Sequence, residues 1–468
     1  MRPIEKFLNS SYYIASIFLI TYITWLFKSD TPPFDFNLFN MIGIFILLVI
    51  MLLILSFFDN SLYILPVIAG ILFVISKHDL SFTTVSQFGF PYIGFILFIT
   101  GPIIHVFRFK PKLRKGALFK GFLLLSIAYL LPLIYMPFEF SAIPVSMMGV
   151  IYLLIYMFLT STLKGNINYM MKIVFGISML LSLQLFTIIG IGLVQNSHLS
   201  FYDNIYQGIF RSWYINFGWG NINDVAFYIA FTFPSIVYFM FKHPKNYVFW
   251  AILFIPFLAV ILSGSRGGLI GFAISVIGTA YVITKHMKKP MAKHATIVFF
   301  SILALCLINY RLFVQTFLSM INSFDTDLYV LSSYRTYIYK EGIDIFLRYP
   351  LFGGGWLSIH SFEFEGRLFM FHSTIIQTIA TMGLFGLVAL IIHYKEVFTL
   401  FFKQHTFEKK IIFVGYLSVQ IHGLIDNVMF SLPFMILMIL IFSSFENAKL
   451  KTLFDKKGQI YLHNGFDH

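Results

Sequence analysis

Residues 37–58 read NLFNMIGIFILLVIMLLILSFF, twenty-two residues without one charged side chain. A helix of about 20 apolar residues matches the roughly 30 Å hydrocarbon layer of a bilayer. Similar runs fall at 11–27, 61–76, 91–107, 117–137, 142–163, 171–194, 223–241, 247–263, 267–284, 295–312, 372–394, 411–425 and 427–445, making fourteen candidate spans. The composition agrees: 58% of the 468 residues are hydrophobic and 11% charged, with mean hydropathy +0.83. A soluble domain carries about 25% charged residues, and single water-soluble cores stop growing near 250–300 residues. No stretch alternates in the manner of a membrane barrel. The expectation is an all-α polytopic membrane protein with 12–14 transmembrane helices.

The runs divide the chain into an N-terminal bundle (1–194), an aromatic loop (195–222), helices flanking a serine–arginine turn (223–312), a long loop (313–371), C-terminal helices (372–445) and a tail (446–468). The first run follows Arg2 and Lys6 without a small-residue cleavage pattern, so it reads as a retained anchor. Cys306 is the only cysteine and sits in an apolar run, which leaves no internal disulfide and no cysteine metal site.

Loop charges set the expected orientation. With the N-terminus inside, alternation of the fourteen runs puts 24 of the 33 Lys and Arg on the inner side and 9 on the outer. Both termini are then cytoplasmic and the long loops face out. The formal charge of +13 is thereby accounted for by orientation and anionic inner-leaflet lipid, without nucleic acid. The inner side holds 21 Lys and 3 Arg, the outer 3 Lys and 6 Arg. Arginine is the residue for two-pronged grip on phosphate or carboxylate. The outer face therefore looks equipped for an anion, although pairing with the many outer acids explains Arg211, Arg311, Arg348 and Arg367 as well.

The first long outer loop, 195–222, is crowded with aromatic residues, among them Trp213, Tyr214 and Trp219. Such rings stack on sugar faces and also form interfacial belts; Trp213 is carried forward as a substrate contact. Asn223 and Asp224 open the next helix, where polar groups meet a partly positive helix end. In the second loop, Ser332 and Ser333 read as a helix N-cap, followed by an amphipathic surface helix over 334–348. Arg335, Tyr339 and Gly342 share one face of it at i, i+4, i+7. Pro350 and Gly353-Gly354-Gly355 stop it, and a triple glycine lets backbone amides approach a partner closely; Gly354 is the candidate ligand contact. Asp325-Thr326-Asp327 has the spacing of a divalent-metal pair, but in a long polar loop it reads as solvated surface, so no metal is expected.

Three constellations carry the chemistry. Ser263-Gly264-Ser265-Arg266-Gly267-Gly268 forms a tight turn between two spans, with Arg266 lacking an acid nearby in sequence. Tyr334-Arg335 precedes Pro350-Leu351-Phe352-Gly353. His372-Ser373 opens a span and is followed by Gln377, Gly383 and Gly386. Together they place two cations and one base on one side of the membrane.

In that order and spacing, S-R-G-G, then R with P-L-F-G-G-G, then H-S with G-L-F-G, the chain resembles the bacterial O-antigen ligase and polysaccharide polymerase superfamily over roughly Gly220 to Pro433. Asn223-Asp224-Val225-Ala226 is similar to the family's N-x-x-A element. The resemblance implies a membrane glycosyltransferase of the C type, acting at the outer face of the bacterial cytoplasmic membrane. Such enzymes move a glycan from an undecaprenyl pyrophosphate donor to a hydroxyl acceptor, for capsule, exopolysaccharide or O-antigen, and need no cofactor. A flippase and a chain-length regulator are the further partners it implies. It assigns the functional roles to Arg266, Arg335 and His372. The residues read alone agree: arginines stabilise a departing pyrophosphate, and histidine suits either proton abstraction near neutral pH or a hydrogen bond to the pyrophosphate. A lipid-linked-oligosaccharide transporter is the rival class, but the spans hold essentially no acids away from their ends and no early Arg or Lys.

Overall fold

The computed structural model describes residues 3–27, 38–74, 90–136, 142–195, 197–198, 222–243, 246–263, 265–285, 335–356, 371–403 and 406–447, with single residues at 297, 301, 304, 310 and 314. Among the described residues there are helices and no strand. Lipid leaves no alternative to helices for an open chain, because each backbone N–H and C=O must be satisfied within its own segment.

In chain order the helices are α1 (Pro3–Leu8), α2 (Ser11–Leu26), α3 (Leu38–Phe57), α4 (Leu65–Leu72), α5 (Phe90–Phe109), α6 (Phe119–Leu130), α7 (Ala142–Thr162), α8 (Ile167–Gln195), α9 (Ile222–Thr232), α10 (Pro234–Lys242), α11 (Tyr247–Ile252), α12 (Phe254–Ser263), α13 (Arg266–Thr284), α14 (Arg335–Arg348), α15 (Thr374–Phe402), α16 (Phe407–His422) and α17 (Leu432–Asn447). Among the described residues, 6 helical stretches are long and apolar enough to cross a membrane: Phe39–Phe57, Ala142–Thr162, Ile167–Val194, Asn223–Lys242, Gly267–Thr284 and Thr374–Phe402. The expected spans at 11–27, 61–76, 91–107, 117–137, 247–263 and 427–445 form shorter apolar helices, and the one at 411–425 falls in α16, of 16 residues. Their shortening has local causes. Asn60 caps a 3-10 turn over Ser61–Ile64 before α4 begins, and Pro132 ends α6 in a 3-10 turn over Leu131–Ile134. The run 295–312 lies, single residues apart, outside the described residues.

The core is a pair of buried posts. Every residue from Val225 to Phe241 is buried, across the α9–α10 junction at Pro234, and so is every residue of α17 from Pro433 to Phe445. Small residues bring the neighbouring helices onto these posts, as association in lipid requires. Along α13, a Cβ on Gly267, Gly271 or Gly278 would lie 2.6 Å from His422, 3.5 Å from the Ser418 carbonyl, or 2.8 Å from Val414, so the glycine stripe seats α13 on α16. Ser275 Oγ donates across to the Ala230 carbonyl at 2.7 Å.

The triple glycine acts on the fold. Helix α15 breaks at Gly383, where φ is +62° and ψ −157°. The chain from Pro350 to Gly355 inserts its backbone into that break. The amides of Gly354 and Gly355 donate to the carbonyls of Ala380 (2.7 Å) and Thr381 (3.1 Å), and those of Leu384 and Phe385 donate to Pro350 (2.9 Å) and Leu351 (3.0 Å). Gly353 and Gly355 have φ of +78° and +79°. The close backbone approach that the triple glycine predicts is thus to a broken helix, and the Gly354 amide is spent there. A side chain at Gly383 would combine left-handed strain with a Cβ 2.5 Å from the Leu351 carbonyl carbon. Gly383→Ala is expected to cost at least about 3 kcal/mol, the sum of strain and overpacking. Gly190→Ala, with nothing within 4 Å of the new methyl, should leave the thermal unfolding midpoint unchanged or raise it.

Candidate functional site

The site is assembled where α9, α13, α14 and α15 begin and α16 ends. Helix starts carry partial positive charge, so four of them at one place favour an anion. Each is fixed by its own local chemistry. Ser265 is the N-cap of α13; its Oγ accepts from the Gly268 amide (3.0 Å) and donates to Asn223 Oδ1 in the first turn of α9 (2.6 Å). Ser263 Oγ accepts from the Ser265 amide at 3.2 Å. The S-R-G-G turn therefore lies directly on α9, and Gly267 sits against the His422 ring. That sets the backbone of Arg266 beside α16; its side chain lies outside the described residues.

His372 precedes α15 with φ +47°, a left-handed conformation unusual for a residue with a side chain. It is clamped on all sides. The Phe371 amide donates to Gln377 Oε1 at 2.9 Å, the Tyr339 hydroxyl donates to the His372 carbonyl at 2.8 Å, and the Thr374 amide donates to the Gly423 carbonyl at 2.8 Å. Strained backbone of this kind costs about 1–3 kcal/mol and gathers at functional sites. Helix α14 is docked by the face read from its sequence: Gly342 admits Phe371 and Ile376, which a Cβ would meet at 3.0 and 2.5 Å. This brings Arg335 and Tyr339 over the start of α15.

The centre of the cluster is Asp426, in the turn between α16 and α17. His372 Nδ1 lies 3.2 Å from its Oδ1, Arg335 Nη2 3.7 Å from its Oδ2, and His422 Nε2 3.8 Å from its Oδ2. The Asn427 amide donates to Oδ1 at 2.8 Å. Asn427 Nδ2 donates to Gln377 Oε1 at 3.2 Å, so Gln377 ties the His372 and Asp426 segments together. Burial alone would push the Asp426 carboxyl up; the His372 hydrogen bond and charge, with Arg335 and His422, outweigh it and hold the carboxyl down at about 2. Burial pushes the Tyr339 phenol up, with the Arg335 guanidinium opposing.

The carboxylate side chain is 14% exposed, while Arg335 and His372 are 28% and 33% exposed, so the anion is sheltered and these two partners reach the surface. With Nδ1–H directed at Asp426, His372 presents Nε2 as a proton acceptor.

Of the residues singled out in the sequence, Arg335, Tyr339 and His372 thus meet around one carboxylate, and Asn223 joins them through Ser265 and the S-R-G-G turn. Gly354 lies in the helix break. Trp213, Asp325 and Asp327 lie outside the described residues. Sequence reading missed Asp426 and His422. The signal was present: runs at 411–425 and 427–445 leave one residue between antiparallel spans, whereas even tight helical hairpins use about 2–5. The chain unwinds at His422 to make the turn, and Asp426 is what that turn presents.

No curated protein matches the chain. Residues 251–391 match the family model described as O-antigen ligase. The matched stretch contains Arg266, Arg335 and His372 and ends before Asp426. Residues 251–391, which hold the S-R-G-G, P-L-F-G-G-G and H-S motifs, are thus similar to the O-antigen ligase domain, the resemblance those motifs carry.

Proposed function

We propose that the protein transfers glycan from undecaprenyl pyrophosphate to a glycan hydroxyl at the outer face of the cytoplasmic membrane, joining repeat units into capsule, exopolysaccharide or O-antigen. What carries this reading is the convergence of Arg335 and His372 on Asp426 beside the S-R-G-G turn. His372 Nε2 takes the proton of the acceptor hydroxyl as its oxygen attacks the anomeric carbon. The bond from that carbon to the pyrophosphate oxygen breaks, and Arg266 and Arg335 receive the charge on the departing diphosphate. Asp426 orients the imidazole and stabilises its protonated form. Tyr339 holds the His372 backbone. Asn223 supports the turn that bears Arg266, and Trp213 stacks on a sugar of the substrate.

Ligation to a different acceptor is the second reading, favoured by the description of the matched family. The two differ in product. Purified protein given a lipid-pyrophosphate-linked repeat unit forms a ladder of longer glycans if it polymerises. It forms a single adduct, and only with added acceptor, if it ligates.

The outer placement rests on the charge split and has its own test. In cells, an Asp327→Cys variant is expected to react with a membrane-impermeant thiol reagent. Protection in intact cells together with labelling after lysis would invert the topology.

A further inference from the structure

At the other end of α15, about 30 Å along the helix from His372 at 1.5 Å per residue, lies a cavity of about 640 Å³. It is walled by the starts of α6 and α16 and the ends of α15 and α17, and Lys120, Lys395, Lys403 and Lys409 line it together with Glu396 and Glu446. The two acids already have partners. Glu396 Oε2 accepts from the Gly121 amide at 2.8 Å; Glu446 accepts from the Ala117 amide (2.6 Å) and the Tyr156 hydroxyl (2.7 Å). They cap the start of α6 and pin α17 to α7. Lys409 is buried and donates to the Leu400 carbonyl at 2.9 Å. Lys120, Lys395 and Lys403 are exposed, and none enters an ion pair among the described residues. Four ammonium groups against two carboxylates leave the cavity cationic.

Its mouth meets an apolar face. Leu384, Val388, Ile391, Phe398 and Phe402 are all exposed on α15. With Lys395 they follow the i, i+4, i+7 spacing of one helix face. On a membrane-spanning helix such a face meets acyl chains, and Lys395 lies on the same face at the cavity. We propose that the cavity binds the phosphate headgroup of an anionic phospholipid whose acyl chains lie along this face of α15. The shared chemistry is a phosphate oxyanion held by ammonium groups; the continuous apolar face selects a lipid over a free phosphate. Lysines are hydrated point charges on flexible stems, suited to an exchangeable headgroup rather than to the two-pronged grip of arginine. The site is separate from the transfer chemistry and stands whether or not that reading holds.

The test is a native mass-spectrometric titration of the full-length protein with phosphatidylglycerol, against phosphatidylcholine of the same chains and against glycerol phosphate. Phosphatidylglycerol is expected to bind preferentially. Each lysine near the surface contributes about 1 kcal/mol toward an anionic lipid, roughly fivefold in affinity. Lys395→Gln should therefore weaken binding about fivefold, and Lys120→Gln/Lys395→Gln/Lys403→Gln about 10²-fold. If the triple variant fails to fold, the single variant carries the comparison. Equal affinity for both lipids, or undiminished phosphatidylglycerol binding in Lys395→Gln, would overturn the site. Glycerol phosphate binding as tightly as the lipid would make the ligand a soluble anion and overturn the lipid assignment.

Discussion

His372→Ala is expected to lower transfer by about 10²–10⁴-fold, the usual contribution of a positioned general base, while the protein still inserts and folds. Asp426→Asn should fall in the same range. The imidazole would lose the anion that fixes its ring, and Arg335 would lose its partner. Because the two residues act through one hydrogen bond, the double variant should be scarcely worse than the weaker single variant, as expected of groups that work as a unit. Turnover with a lipid-linked repeat unit measures this. Full additivity of the two losses would show that Asp426 acts elsewhere. The carboxylate also has a pH signature. Its folded value of about 2 lies below the ordinary aspartate value of about 4, so its contribution to stability is complete above about 4 and is lost as the pH falls towards 2. The unfolding midpoint of the native protein, compared with that of Asp426→Asn, should lose its advantage only in that acid window.

The second large effect concerns the arginines. Arg266→Lys and Arg335→Lys keep the charge and lose the planar fork, so each is expected to cost about 10²–10³-fold in turnover, the scale of removing one preorganised donor from a developing oxyanion. Arg335→Lys has a structural reason to be severe as well: the guanidinium that approaches Asp426 at 3.7 Å serves both the carboxylate and the surface. Arg367→Ala should be mild. Normal turnover by Arg266→Lys would remove the pyrophosphate grip from the account and leave Arg266 as a topology or headgroup contact.

Much of this was legible in the chain because membrane helices are written locally. An uncharged run such as 37–58 needs no partner to be read as a helix, and it is α3 in the structure. The face of α14 could also be read alone, since Arg335, Tyr339 and Gly342 lie at helical spacing, and that face docks. The carboxylate at the centre could not be found by a local rule. Asp426 is 54 residues from His372 in sequence, and only the packing of α14 and α16 against α15 brings them together. The break at Gly383 was hidden for the same reason. The run 372–394 reads as one continuous apolar span, and the hydrogen bonds that open it come from Pro350–Gly355, some thirty residues upstream. The P-L-F-G-G-G motif announced a tight turn; that its partner was the backbone of another helix depended on tertiary structure.

The central claim is that the cluster around Asp426 transfers glycan from a lipid pyrophosphate. The most direct test is to supply purified protein in bilayer nanodiscs with an undecaprenyl-pyrophosphate-linked repeat unit and measure glycan size and released undecaprenyl pyrophosphate together. The account predicts longer glycans with one undecaprenyl pyrophosphate freed per linkage, both lost in His372→Ala. Longer glycans made equally well by His372→Ala, or no consumption of the donor by the native protein with any glycan acceptor, would contradict it.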